Sequence, residues 1–239
     1  MSRRVVVGGL LALTATLVTA GVLSVVFVRA QGGGEPAKVG VPSKALQGNQ
    51  ITHIPQGTPV AGLTLPVEYG SIRLLAPGSV PSPRQGVPSP PGLTAVRTEE
   101  HNGVSVDACD ALGLSVHPGY LPNGWWLAGC AGETVVWDDG ESTDVIYNAY
   151  YQREGYYPIG VSRELLVRGE VVDVVTDAQN FAWSLGTVAG GPAVIRYKAP
   201  GSDLNGPFEV YFVRGGTLTI VSGTGIEIDE LLRIADSIS

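Results

Sequence analysis

Short segments rich in Val, Ile, Tyr and Phe dominate the second half of the chain, and turns containing glycine separate them. In residues 181–185, the apolar side chains of Phe181, Trp183 and Leu185 alternate with smaller ones and fall on one face of a strand. Comparable strand-like segments are residues 134–137, 145–151, 165–167, 171–175, 210–213 and 218–221. Segments of this kind, joined by short turns, are typical of antiparallel hairpins. The pattern therefore predicts a twisted antiparallel sheet.

The clearest helical period lies at the end of the chain, in residues 228–238. One apolar stripe is formed there by Ile228, Leu231, Leu232, Ala235 and Ile238. A helix of this length is marginal on its own, so it has to dock on the sheet. Residues 106–112 predict a second, short helix. We therefore predict an α+β fold in which the C-terminal amphipathic helix packs on one face of the sheet.

The longest apolar segment runs without a charge from Val5 to Val28 and follows Arg3 and Arg4. As a helix it would be about 36 Å long, enough to cross a hydrocarbon core of about 30 Å. The preceding arginines predict a cytoplasmic N-terminus and an extracytoplasmic C-terminal domain. We therefore predict a signal-anchor: a single-pass transmembrane helix in the cell membrane, with the lipid bilayer as its partner. Cleavage after Ala30, which would release a secreted protein, is the alternative.

Proline interrupts the pattern between the apolar segment and the strands, since 11 of the 17 prolines lie between Pro36 and Pro91. Such a composition favours an extended spacer over a sheet. Residues 60–65 and 71–75 are apolar enough to pack as edge strands. The chain thus divides into three predicted regions. These are an N-terminal membrane anchor or signal segment (1–30), a Pro- and Gly-rich tether that could contain short strands (31–98), and an α+β extracytoplasmic domain (99–239).

Charge is unevenly distributed along the chain. Residues 1–100 carry eight Lys or Arg and four Asp or Glu, whereas residues 101–239 carry seven and 18. Residues 101–239, nearly all of the predicted exported domain, therefore have a net charge of −11, which repels phosphate backbones and anionic lipid. We expect no nucleic-acid partner.

Cys109 and Cys130 are the two cysteines of the chain, and both lie in the predicted exported domain. Oxidising compartments favour disulfide formation. The pair lacks the Cys-x-x-Cys spacing that lowers the pKa of a reactive thiol. We therefore predict a structural disulfide bond between them.

Catalytic and metal-binding patterns are scarce. The best candidate for a calcium site is a group of carboxylates in a turn, made up of Asp138, Asp139, Glu141 and Asp144. Their spacing does not match an EF-hand loop, so a solvated hairpin turn is the favoured interpretation. The sequence contains no Gly-x-Ser-x-Gly, P-loop or dinucleotide-binding motif. We expect neither a cofactor nor an enzymatic activity.

A group of aromatic residues is the best candidate for a binding surface. Its members are Trp125, Trp126, Tyr150, Tyr151, Tyr156 and Tyr157. Packing in the core and at strand edges is the alternative interpretation. As a binding surface, such residues would offer a broad and rigid platform to a sugar ring, a lipid or a protein partner.

Three segments resemble a bacterial domain family of unknown function. Residues 121–127 are similar to its opening "Leu-Pro-x-Gly-aromatic-x-Leu" motif, residues 188–193 to its "apolar-x-Gly-x-x-Ala" turn, and residues 230–238 to its final helix. Members of the family are exported, membrane-anchored proteins that are often anti-sigma-like or sporulation-associated. The resemblance covers roughly residues 110–239. It implies a sheet-and-helix fold and a sensory or protein-binding role outside the cell, and it supplies no catalytic residues.

These observations predict a membrane-tethered, extracytoplasmic and non-enzymatic binding or sensor domain, for which we expect a protein partner. Two alternatives remain open at this point. One is an accessory or structural subunit of a membrane-bound complex, and the other is a carrier for an apolar ligand.

Overall fold

A computed structural model describes residues 57–112, 116–177, 181–199, 202 and 207–238. Strands account for 48% of these residues and helices for 9%. The predicted membrane segment, from Val5 to Val28, and the alternative cleavage position after Ala30 lie outside the described residues. In the part of the chain that is described, no helix has both the length and the apolar character needed to cross a bilayer.

Twelve strands and two helices are found in these residues. The strands are β1 (Thr58–Pro59), β2 (Val67–Tyr69), β3 (Ile72–Leu75), β4 (Ala95–Gly103), β5 (Trp126–Trp137), β6 (Ser142–Gln152), β7 (Ile159–Leu165), β8 (Val172–Val175), β9 (Phe181–Val188), β10 (Gly191–Lys198), β11 (Phe208–Arg214) and β12 (Thr217–Gly223). The helices are α1 (Val106–Ala111) and α2 (Ile228–Asp236). Nine strands form an antiparallel sheet in the order β1-β9-β10-β11-β12-β7-β6-β5-β4, and a second sheet has the order β2-β3-β8.

The α+β prediction is wrong, because the described chain is mostly β and contains two sheets, the larger with nine antiparallel strands. Local periodicity underestimated the strands. Residues 95–103 carry Arg97, Glu99 and Glu100 and show no apolar face, yet they form β4 by pairing with β5 along most of its length. An edge strand tolerates such charges because one side of it faces solvent. The backbone hydrogen bonds to β5 make this segment a strand. A short stretch of sequence does not show that β5 will lie beside it.

Helix α2 covers one face of the nine-stranded sheet, which we call the inner face. Its Leu231, Ile234 and Ala235 are fully buried in one cluster with sheet residues such as Val161 and Val221. Complete burial of a Leu, Ile or Val side chain stabilises the fold by roughly 1.5–3 kcal/mol, and burial of the smaller Ala side chain contributes less. Two backbone hydrogen bonds close the C-terminal end of α2 at Ser237. Most of the stripe predicted from the sequence is thus the surface that holds the helix on the sheet, but Leu232 of that stripe is only partly buried and the buried Ile234 was not part of it.

The small sheet covers part of the opposite face, which we call the outer face. Ile72 and Leu74 of β3 are buried in a cluster with Trp183, Val194 and Tyr211 of the large sheet. Burial on both faces explains why consecutive residues of β10 are apolar. Ala193 and Ile195 belong to the inner cluster, whereas Val194, between them, belongs to the outer cluster.

Residues 57–98, which the sequence placed in the tether, pack against the domain. Strand β1 pairs with β9, and β3 is the central strand of the small sheet, where it pairs antiparallel with β2 and parallel with β8. The connection from β3 to β4, residues 76–94, crosses the outer face as an irregular segment that we call the strap. Its prolines lack the N–H group that a ladder needs. Side-chain groups of the sheets therefore hold most of the strap, and one backbone hydrogen bond, from the N–H of Asp138 to the oxygen of Thr94 at 3.0 Å, holds its end.

Three groups of contacts hold the strap. Asp173 receives two hydrogen bonds from Arg73, at 2.7 and 2.9 Å, and one from the backbone N–H of Ser82 at 2.7 Å. Arg84 pairs with Glu170 at 2.6 Å and with Glu164 at 2.9 Å. At the far end, Leu93 packs on a cluster consisting of Val135, Trp137, Val145 and Ile146.

The predicted disulfide is confirmed, because Cys109 of α1 is bonded to Cys130 of β5 and both residues are buried. Ser105 caps the N-terminal end of α1, because its side chain accepts a hydrogen bond from the backbone N–H of Ala108 at 3.2 Å. A Cβ atom on Gly103 would lie 2.7 and 2.8 Å from the two sulfur atoms. The bond thus fixes the short helix to β5, beside the last residue of β4. That residue is Gly103, and the sulfur atoms lie too close to it for a side chain.

Candidate functional site

Three loops meet at one end of the nine-stranded sheet and enclose an open cleft of about 440 Å³. They are the α1–β5 loop, the β6–β7 turn and the β12–α2 loop. Their apolar contributions to the cleft include Leu121, Pro122 and Ile226. The volume lies within the range of ordinary ligand pockets, which is about 300–1,000 Å³.

The first wall of the cleft consists of two aromatic rings and an arginine. The rings of Trp125 and Tyr156 are tilted by 56°, with their centroids 6.1 Å apart. The guanidinium carbon of Arg153 lies 4.3 Å from the centroid of the Tyr156 ring, within the range of a cation–π contact. Gly155, at a φ of 77°, turns the chain between Arg153 and Tyr156. The turn therefore places both side chains on the same wall.

The second wall is formed by Tyr120 and the first turns of α2. The hydroxyl of Tyr120 donates a hydrogen bond to the carboxylate of Glu230, and Arg233 donates one to the same carboxylate at 3.1 Å. The guanidinium carbon of Arg233 lies 4.0 Å from the centroid of the Tyr120 ring. The hydrogen bond to Glu230, followed by burial, raises the pKa of Tyr120. The tyrosine therefore stays neutral and acts as a donor.

The α1–β5 loop is anchored to the core, which fixes the position of the second wall. The hydroxyl of Tyr151 donates a hydrogen bond to the backbone oxygen of Val116, and the N–H of Gly119 donates one to the backbone oxygen of Ser237 at 3.1 Å. Burial raises the pKa of Tyr151 far above its ordinary value. Tyr151 is therefore a neutral structural donor.

Charges of both signs line the cleft. Arg153 contributes one positive charge, and Glu227 and Glu230 contribute two negative charges. Acidic residues in the first turn of a helix interact favourably with its dipole, so α2 stabilises Asp229 and Glu230 there. Trp, Tyr and Arg are the residue types that contribute most to binding energy in protein interfaces. The arrangement suits binding of an amphipathic segment.

Two of the six aromatic residues predicted to bind a ligand line the cleft, namely Trp125 and Tyr156. Tyr151 is 2% exposed and belongs to the inner core. Its neighbour Tyr150 points to the outer face, because side chains alternate along β6. Trp126 is 50% exposed and pairs with Gln152 at the start of β5, and Tyr157 is partly buried.

Sequence reasoning missed Tyr120, Arg153, Glu230 and Arg233. Two spacings were visible in the sequence: Arg153 lies three residues before Tyr156, and Glu230 lies three residues before Arg233 in the predicted helix. The meeting of residues near 120, 155 and 230 was not visible, since it depends on how the sheet brings three distant loops together.

The carboxylates of the calcium candidate have other partners or remain apart. Asp139 accepts a hydrogen bond from the backbone N–H of Glu141 at 2.9 Å, as in a tight turn, and Asp144 accepts one from the hydroxyl of Thr134 at 2.7 Å. Asp138 is exposed. Across the described ranges, no three His, Cys, Asp or Glu residues are arranged so that they could hold a metal ion.

No protein-family model, no curated protein and no solved structure matches the chain. The resemblance of residues 110–239 to the exported domain family stays a prediction. It is notable that two of the segments on which it rests, residues 121–127 and 230–238, contribute to opposite walls of the same cleft.

Proposed function

We propose that this protein is a membrane-tethered, extracytoplasmic and non-enzymatic binding domain whose cleft holds a segment of a protein partner. The observation that carries the proposal is the cleft itself, because Tyr120 and Trp125 of the α1–β5 loop and Tyr156 of the β6–β7 turn converge on it. Two of these rings are covered on one side by arginines, and one is hydrogen-bonded to Glu230. Pre-organised aromatic walls reduce the conformational entropy that the site itself loses on binding.

Site-specific photo-crosslinking in the host membrane tests the proposed site. A benzophenone amino acid at position 156 should yield a discrete adduct with a protein, because Tyr156 lines the cleft. The matched control is the same amino acid at position 150, where the side chain points to the outer face. Trp125→Ala should abolish the adduct formed from position 156. Equal adducts from both positions, or none from position 156, would contradict a partner in the cleft.

The proposed membrane tether needs a separate test. After fractionation of the host, the full chain should stay with the membranes through a carbonate wash, and its amino terminus should be Met1. An amino terminus at Gln31 in a soluble fraction would instead indicate a secreted domain. This measurement does not depend on the identity of the partner.

A further inference from the structure

Asparagine followed by glycine is the dipeptide in which an asparagine side chain loses its amide most readily, because glycine has no side chain to hinder attack by its own backbone nitrogen. The chain contains three such pairs, Asn102-Gly103, Asn123-Gly124 and Asn205-Gly206. The last pair lies outside the described residues. The structure places the other two in different surroundings, and these surroundings decide which of the two reacts in the folded protein.

The reaction needs freedom to rotate about one backbone bond. The glycine nitrogen attacks the side-chain carbonyl carbon of the asparagine and closes a succinimide ring, and the side-chain nitrogen leaves as ammonia with the proton of the glycine N–H. Water then opens the ring at one of its two carbonyl groups. One opening gives aspartate, and the other gives isoaspartate, whose backbone runs through the β-carbon. Ring closure requires rotation about the bond between Cα and the backbone carbonyl carbon of the asparagine.

Asn123 and Gly124 occupy a turn that leaves this rotation open. The N–H of Trp125 donates a hydrogen bond to the backbone oxygen of Pro122 across the turn, at a long distance of 3.3 Å. Gly124 has a φ of 82°, as the third residue of a type II turn requires. Both Asn123 and Gly124 are exposed. Reorientation of the peptide between them therefore costs little packing.

Asn102 and Gly103 are held in place at the end of β4, where they pair with Ala131 and Cys130 of β5. Gly103 is buried, and a Cβ atom on it would lie 2.7 and 2.8 Å from the two sulfur atoms of the disulfide. Rotation at Asn102 would break the pairing and move a backbone that has no space beside the sulfur atoms. The side chains of Asn102 and Asn123 are both exposed, so access of water does not distinguish the two sites. The backbone does.

We infer that Asn123 is a site of spontaneous deamidation in the folded protein, whereas Asn102 is protected until the protein unfolds. Water is the co-reactant, and the reaction requires no enzyme and no cofactor. The inference does not depend on the proposed function, because it follows from the backbone around the two glycines.

Conversion of Asn123 changes the first wall of the cleft, which this residue lines. The Arg153 side chain runs along Gly124, since a Cβ atom on Gly124 would lie 3.6 Å from its Nε and 3.8 Å from its Cδ. The new carboxylate therefore forms near a guanidinium group, whose in-plane N–H groups suit a carboxylate. Isoaspartate also adds a carbon to the backbone just before the turn leads into Trp125. The charge and shape of the cleft thus change with the age of the protein.

Ageing of the full chain in detergent micelles at mildly alkaline pH tests the inference. Digestion at acidic pH avoids further conversion, mass spectrometry detects the exchange of an amide for an acid at each site, and electron-transfer fragmentation separates isoaspartate from aspartate. We expect conversion at Asn123 to be at least tenfold faster than at Asn102. Equal rates at the two sites in the folded protein, or no conversion at Asn123, would overturn the inference.

The unfolded chain supplies the matched control. In guanidinium chloride with reductant, both pairs lose their surroundings, and the two rates should agree closely because the dipeptides are chemically identical. A tenfold difference that persisted in the unfolded chain would show that local sequence sets the rates, and the role of the fold would be wrong.

Two variants extend the test. Asn123→Gln lengthens the side chain by one methylene group and disfavours ring closure, so position 123 should accumulate no acid. The Cys109→Ala/Cys130→Ala double variant removes the sulfur atoms beside Gly103, and circular dichroism checks that it stays folded. Conversion at Asn102 should accelerate in this variant, whereas conversion at Asn123 should not change. An unchanged rate at Asn102 would contradict protection by the disulfide.

Discussion

The two faces of the nine-stranded sheet are covered by different physical means. On the inner face, α2 and the disulfide-linked α1 are held by an apolar cluster that includes Leu231, Ile234 and Cys109. On the outer face, the small sheet and the strap are held both by an apolar cluster and by ion pairs. Their central carboxylates, Asp173 and Glu170, each have a side chain that is only 3% exposed. Stability of the inner layer should therefore depend on pH less than attachment of the outer layer, which requires ionised carboxylates.

The largest effect is expected on the inner face. Leu231→Ala should destabilise the fold by about 2–5 kcal/mol, because it leaves a cavity among fully buried side chains. Leu232→Ala is the matched control, since Leu232 is adjacent but only partly buried, and its loss should be clearly smaller. Urea unfolding at pH 7 and at pH 4 measures both. A loss for Leu231→Ala that varied strongly with pH would break the comparison.

Removal of the disulfide should have the next largest effect. The bond joins residues separated by 21 positions, so its loss should cost about 3 kcal/mol through the entropy of the unfolded chain. The Cys109→Ala/Cys130→Ala double variant tests this by thermal or urea unfolding. Reductant should lower the stability of the wild type by a similar amount and leave the variant unaffected. Equal stability of the oxidised wild type and the variant would show that the crosslink contributes nothing to the inner layer.

Attachment of the outer layer should show a specific pH dependence. The hydrogen bonds from Arg73 and Ser82 lower the pKa of Asp173 to about 2, although burial alone would raise it. A lowered pKa means that the contribution of Asp173 is present above its unfolded pKa of about 4 and is lost as the pH falls from about 4 to 2. Asp173→Asn should therefore cost about 1–2 kcal/mol at pH 7, a range reduced from the full shift because Arg73 is partly exposed.

Unfolding curves of wild type and Asp173→Asn should converge between pH 4 and pH 2. Hydrogen exchange shows which layer opens first. The amides of β3 and β8 should lose protection in acid before those of α2. Simultaneous loss in both layers would show that the outer layer does not respond separately.

The smallest effect is expected for an ion pair at the surface. Arg97 and Glu99 of β4 are 2.6 Å apart, but their side chains are 62% and 40% exposed. Arg97→Ala should therefore change the free energy of unfolding by less than about 0.5 kcal/mol. Together with Asp173→Asn, this variant distinguishes burial from the mere presence of an ion pair. A loss as large as that of Asp173→Asn would contradict this explanation of the outer layer.

Features encoded in a single stretch of sequence were predictable. The apolar stripe of residues 228–238 predicted α2, and the neighbouring apolar segments 210–213 and 218–221 predicted the β11–β12 hairpin. The two cysteines predicted their own bond. In each case the signal lies within a few residues or in the chemistry of a unique pair.

Features that depend on distant pairing were not predictable. Strands β3 and β8 lie side by side although 100 positions separate Ile72 from Val172, and their parallel pairing builds a second sheet. The proline-rich sequence around the strap indicated a spacer. Composition does not reveal that Asp173 pairs with Arg73 or that Glu170 pairs with Arg84. The cleft was only partly predictable. Trp125 and Tyr156 were among the candidate residues, but Tyr120 and the charged residues beside these rings were not, because three loops distant in sequence have to meet.

The open rims of the large sheet have a consequence for solubility. A sheet that does not close offers unpaired backbone groups at its two ends, where another chain could add a strand and begin a fibre. Here one rim is β1, only two residues long, and the other is β4, which carries Arg97, Glu99 and Glu100. A rim that is very short and a rim that is charged both discourage such growth. Without these two features, a protein this rich in strands would aggregate more readily at high local concentration.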